Sequence, residues 1–223
     1  MKSDVNVQVD ADPQSMSRIV RFDRVQRAAH WANALLFGIL MLTALPLYFP
    51  SLSDVVGRRA LVADIHVWSG VVLPVPIVIS LLGPWGAQMR RDVRRINVWT
   101  NDEVTWLRSL GRNAPRVVDK FNPGQKLNAI FVGASILVML ATGFILKWFG
   151  FFPVGWRTGA TFVHDALAFA IFAVVIGHIL FALTHRESMR SMIKGWVSEA
   201  WAARIAPGWL RENTAELERD QLP

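Results

Sequence analysis

The chain has no cysteine among its 223 residues. That excludes disulfides, thiolate metal sites, iron-sulfur ligation by this chain and covalent attachment of a c-type haem. Charge is scarce as well: 18 % of residues are Asp, Glu, Lys or Arg, against 52 % hydrophobic. This balance is too apolar and too unevenly patterned for an ordinary soluble domain. A formal charge of +7 could suggest nucleic acid. The basic residues, however, lie between apolar spans and form no aromatic-interleaved patch, so no nucleic-acid partner is expected. Residues 1–17 hold Asp4, Asp10 and Asp12 but no apolar run beside a basic cluster. A flexible extension is therefore expected there rather than a cleaved signal peptide, with the first span acting as an uncleaved anchor.

What is present is a set of four apolar runs, at residues 28–49, 60–85, 127–149 and 159–185. About 20 apolar residues cross a hydrocarbon core about 30 Å thick. The pattern predicts an all-α membrane protein: a four-span bundle over residues 18–185 and a tail over 186–223 with one surface helix and a loose end. Pro74 and Pro76 fall inside the second run and predict a packing bend, tolerated where neighbours satisfy the freed carbonyls. Between the second and third runs, residues 86–126 are the most polar interior stretch. One or two amphipathic helices are expected there, with Trp99, Trp106 and Leu110 turned inward. The N-terminal segment, this middle loop and the tail carry 5, 9 and 6 of the 24 Lys and Arg. The positive-inside rule then puts both termini and the middle loop in the cytoplasm.

His164 and His178 lie fourteen residues apart in the fourth run. At about 1.5 Å per residue they are roughly 21 Å apart along one helix, and about 40° apart around it, so both look to the same side. A buried imidazole with an unsatisfied nitrogen costs about 1–3 kcal/mol, and an ionisable residue in a span is a functional candidate by default. In cysteine-free, apolar surroundings the group that suits these nitrogens is a haem plane rather than a bare ion. With the topology above, His30 opens the first span at the depth of His178, and His66 opens the second at the depth of His164. Two haem b groups follow: one on His30 and His178 at the cytoplasmic side, one on His66 and His164 at the outer side. His185, beyond the hydrocarbon, reads as an interfacial residue. Two imidazoles per iron leave no open position, which favours electron transfer, and a lipid-soluble quinone is the natural acceptor.

The stretch Lys120-Phe121-Asn122-Pro123-Gly124-Gln125-Lys126 directly before the third span, the Arg27-Ala28-Ala29-His30-Trp31 start of the first, and the tail pieces Ser191-Met192-Ile193-Lys194-Gly195 and Ala206-Pro207-Gly208-Trp209 complete the pattern. Together with the four histidines, they resemble the gamma, or cytochrome b556, subunit of respiratory formate dehydrogenases. The resemblance implies a membrane subunit that takes electrons from an iron-sulfur (beta) subunit at the outer face and reduces menaquinone or ubiquinone near the cytoplasmic haem. Formate oxidation would belong to a molybdenum- or tungsten-bearing (alpha) subunit. It also implies a quinone pocket that includes Asn122, Gly124, Gln125 and His178. Read without the family, Asn122-Pro123-Gly124 is a plain turn opening a helix. Pro123 and the two prolines of the second span depart from the family pattern but touch none of the ligands. Related hydrogenase cytochromes b share the Arg-Ala-Ala-His-Trp piece, so the cytochrome b of a hydrogenase or another molybdoenzyme is the nearest rival. A non-redox scaffold or transporter is the rival of another class; no internal repeat of the transporter kind is present.

Overall fold

The computed structural model describes residues 18–110, 112 and 119–220; the expected flexible extension, 1–17, lies outside them. Among the described residues the regular structure is helical apart from two three-residue strands, β1 (Arg18–Val20) and β2 (Trp196–Ser198). Four helical spans are long and apolar enough to cross a membrane: Arg24–Tyr48, Arg59–Leu82, Pro123–Lys147 and Val154–Thr184.

The first of them, α1 (Arg24–Tyr48), begins four residues ahead of its apolar run because Asp23 and Gln26 form a reciprocal cap. The Asp23 carboxylate accepts from Gln26 N at 2.8 Å, and Gln26 Oε1 accepts from Asp23 N at 3.1 Å. Two orphan donors of the first turn are thereby satisfied. Between the first and second spans, Pro50 starts a short helix, α2 (Pro50–Val56), and Gly57 ends it in the left-handed region at φ 66°. Proline at N1 and glycine just past the end are the residues that fit those positions.

The second span is interrupted as its prolines predict. Helix α3 (Arg59–Val72) stops, and α4 (Val75–Leu82) resumes after Leu73 and Pro74. The repair comes from another helix: Asn33 of α1, itself buried, donates Nδ2–H to the Leu73 carbonyl at 3.0 Å. In hydrocarbon no water could do this. Asn33→Leu should therefore lower stability by about 1–3 kcal/mol. Thermal unfolding in detergent measures it, and an unchanged midpoint would refute this role for the amide.

The third span is α7 (Pro123–Lys147) and the fourth α8 (Val154–Thr184). At 31 residues, α8 is about 46 Å long and outreaches the hydrocarbon core. Helix α1 packs on α3 and α4, α7 packs on α8, and α3 meets α7.

One end of the bundle is covered by α5 (Ala87–Asn97), α6 (Asn101–Arg108) and the C-terminal segment. Both amphipathic helices are where the sequence placed them. Trp99 and Trp106 are half-buried, but Leu110 is not turned inward. It follows α6 at φ 52° and is 82 % exposed, because the chain has already left the helix and the face that Trp106 occupies. Ion pairs stitch this cap together. Lys126 meets Glu103 at 2.7 Å and donates to the Val98 carbonyl at 2.8 Å. Arg95 meets both Asp119 and Glu212 at 2.7 Å.

The tail is more ordered than one helix and a loose end. It runs as α9 (Arg186–Lys194), β2, α10 (Glu199–Ile205) and α11 (Pro207–Asp220), with Val197, Ala202, Ala206 and Trp209 buried against Ile19, Trp201 and Leu210. Strand β1 pairs antiparallel with β2, Ile19 opposite Val197. Gly195, at φ 92°, turns its carbonyl back to accept from Arg21 N and Phe22 N at 2.8 and 3.1 Å. A Cβ there would lie 2.8 Å from the Phe22 carbonyl oxygen. Local hydropathy missed this unit because its apolar partners are split between residue 19 and residues 197–210.

Candidate functional site

Helix α8 carries both histidines that the sequence singled out, and each faces one from another helix. The rings of His178 and His30, on α1, have centroids 6.3 Å apart at the end covered by α5, α6 and the tail, here the capped end. The rings of His164 and His66, on α3, are 6.4 Å apart at the far end. Metal–nitrogen bonds of about 2 Å and imidazole radii of about 1.1 Å put two rings that share one metal about 6 Å apart, centroid to centroid, when the ligating nitrogens face each other. Both pairs have that separation.

The donor set points to what would lie between them. Among the described residues no three His, Cys, Asp or Glu side chains gather to hold a metal ion. Two imidazoles supply two ligands, which fits a haem, whose porphyrin would supply the rest. At the capped end, His30 Nδ1 is buried without a hydrogen-bond partner, so no hydrogen bond fixes which nitrogen of this ring carries the proton.

At the far end the histidines are held differently. His66 Nδ1 lies 2.9 Å from Thr43 Oγ1, and His164 Nδ1 lies 2.8 Å from Thr142 Oγ1. The hydroxyls themselves donate to carbonyls one turn back, Thr43 to Ile39 at 2.7 Å and Thr142 to Val138 at 2.8 Å. Sequence reading passed over both threonines. A polar residue inside an apolar span is a visible signal, but nothing in the spacing ties residue 43 to 66 or 142 to 164.

Asn122 and Gln125 form a second reciprocal cap, at the start of α7. Gln125 N donates to Asn122 Oδ1 at 2.9 Å and Asn122 N to Gln125 Oε1 at 3.1 Å. The turn reading and a binding role are compatible, because the cap uses the two carbonyl oxygens and leaves both NH2 groups to donate. Gly124 lies under Trp106, whose ring is 3.7 Å from where a Cβ would stand. No hydrogen bond joins Asn122, Gly124 or Gln125 to His178; they share the capped end of the bundle.

The segment leading into this cap is anchored by charge. Asp92 of α5 is 3 % exposed and Lys120 is 1 % exposed. Asp92 Oδ2 accepts from Lys120 Nζ and from Gln26 Nε2, each at 2.5 Å. Arg21 donates to the Lys120 carbonyl at 2.9 Å. Burial pushes the Lys120 ammonium below its ordinary pKa, and the Asp92 carboxylate pushes it back up. His185 makes no such link: it stacks on Phe181 at 3.8 Å, and its Nδ1 sits 2.8 Å from the Phe181 carbonyl.

Residues 21–195 match the family model described as prokaryotic cytochrome b561. The formate dehydrogenase cytochrome b556 subunit of Haemophilus influenzae is 28 % identical over 217 residues, covering 92 % of this chain and 88 % of that protein. The cytochrome b556(fdo) subunit of formate dehydrogenase from Escherichia coli K12 is 28 % identical over 213 residues, covering 90 % and 96 %. The cytochrome b556(Fdn) subunit of the nitrate-inducible formate dehydrogenase of the same strain is 27 % identical over 215 residues, covering 91 % and 95 %.

Proposed function

The chain belongs to the prokaryotic cytochrome b561 family, and from that premise we propose that it is the membrane cytochrome b subunit of a formate dehydrogenase, carrying electrons through two haems to a quinone. The observation that carries the reading is the double pairing of His30 with His178 and His66 with His164 at 6.3 and 6.4 Å. When bound, the two haem irons supply one-electron redox chemistry.

This chain's residues supply everything else. His66 and His164 would hold one haem and His30 and His178 the other, and two imidazoles on each would leave no place for dioxygen or another small ligand. The single helix α8 fixes the distance between the sites, since it contributes a ligand to each. The donor is the iron-sulfur subunit of a complex whose catalytic subunit bears molybdenum or tungsten, and electrons enter at the far end. At the capped end, the NH2 groups of Asn122 and Gln125, which the cap does not use, would donate to a carbonyl oxygen of menaquinone or ubiquinone. Gly124 keeps the backbone approachable there. Two electrons and two protons convert the quinone to quinol. The excess of Lys and Arg at this end supports reading it as the cytoplasmic one, with both termini inside; on that orientation the protons come from the cytoplasm while formate is oxidised outside, and the transfer is electrogenic.

The test is a reduced-minus-oxidised spectrum and haem extraction on the purified protein, where two b haems per chain are expected. A chain without haem refutes the reading. Co-purification of a hydrogenase large subunit in place of a formate-oxidising one would replace the donor, and reporter fusions placing residues 86–126 outside would remove the electrogenic step.

A further inference from the structure

The two histidine pairs have the same ring separation but different surroundings. At the far end, both ligands have Nδ1 within hydrogen-bond distance of a threonine hydroxyl, from Thr43 of α1 at 2.9 Å and from Thr142 of α7 at 2.8 Å. At the capped end neither has such support. His30 Nδ1 is buried without a partner, and among the described residues His178 makes no hydrogen bond.

The direction of the threonine bonds follows from counting protons. A hydroxyl has one proton, and in each threonine a backbone carbonyl one turn back lies in its path, Ile39 O at 2.7 Å and Val138 O at 2.8 Å. The lone pairs of Oγ1 remain, so the imidazole must be the donor. Nδ1 then carries the hydrogen, and Nε2 carries the lone pair that a metal needs. A hydrogen-bond acceptor on the far nitrogen fixes the tautomer and ring orientation and raises ligand basicity. A more basic ligand favours the ferric over the ferrous state.

Resting on the dihaem reading above, we propose that Thr43 and Thr142 are positioning residues for the far-end site. They aim His66 and His164 and hold that site at a lower potential than the unsupported site on His30 and His178. Electrons entering at the far end then pass, one at a time, from the lower to the higher potential.

The experiment is a redox titration, followed optically, of the purified complex carrying Thr43→Val, Thr142→Val, both changes, and the corresponding serine variants. His66→Ala serves to identify the far-end signal. The double valine variant is expected to raise the far-end midpoint, with about a tenfold shift in its ferrous-to-ferric ratio at fixed potential, equivalent to about 59 mV for one electron. The capped-end midpoint should stay put, and serine, which keeps the hydroxyl, should restore the wild-type value. Loss of the far-end haem alone in the valine variants, reversed by serine, also supports the proposal. It is overturned if neither midpoint moves, if both move together, if both haems are lost, or if serine fails to restore what valine changed. Wild-type protein without two b haems would overturn the functional reading as well, so the two failures are distinguishable.

Discussion

On the proposed dihaem reading, replacing His178 by alanine should remove one of two b haems and, with it, quinone reduction, while the far-end haem on His66 and His164 stays. The expectation follows from how α8 is used. His178 and His164 are fourteen residues apart on one helix, roughly 21 Å at helical rise. Truncating one side chain leaves the opposite pair and the backbone between them undisturbed. His66→Ala should give the mirror result: the capped-end haem is retained, and electrons from the donor no longer reach it. Haem content per chain, with the two signals resolved by redox titration, reads both outcomes. If either change removed the same haem, or if both removed everything, the assignment of partners would be wrong. The effect is expected to be all-or-none because each proposed site has two imidazoles, and among the described residues no three His, Cys, Asp or Glu side chains gather to replace a lost one.

The second large effect is expected at Asp92. Its carboxylate is buried and holds Lys120 Nζ and Gln26 Nε2, each at 2.5 Å. Asp92→Ala would leave the Lys120 ammonium 1 % exposed and without its counter-charge. Breaking a buried ion pair from one side costs about 3–5 kcal/mol, whereas replacing both partners by apolar residues of similar size is often neutral. The single variant should unfold at clearly lower temperature by circular dichroism, and Asp92→Leu with Lys120→Met should recover most of the loss. A single variant as stable as wild type would show that the pair contributes nothing. Recovery of stability without recovery of quinone reduction would locate a second consequence. Lys120 lies two residues ahead of Asn122, so the same pair holds the start of α7 and its Asn122–Gln125 cap in place.

The membrane class, the four spans and the depth-matching of four histidines were all legible in the sequence. The mixed charge and tryptophans of the tail, by contrast, concealed a packed unit. Its core joins Ile19 to Val197, Ala202, Ala206 and Trp209, and no window along the chain contains both sides. Leu110 shows the converse. Its apolar side chain promised burial, but a residue at φ 52° past the end of α6 no longer shares that helix's face.

By itself the sequence determined where helices run and at what level each histidine sits, because apolar length and a rise of about 1.5 Å per residue are local, periodic quantities. It could not determine which polar side chains meet across helices. Thr43 beneath His66, Thr142 beneath His164, Asn33 against the Leu73 carbonyl and Gln26 on Asp92 each depend on how one helix is rotated against its neighbour. That rotation is set by the packing of all the spans together, so only the tertiary structure decided it, and with it the difference between the two histidine pairs.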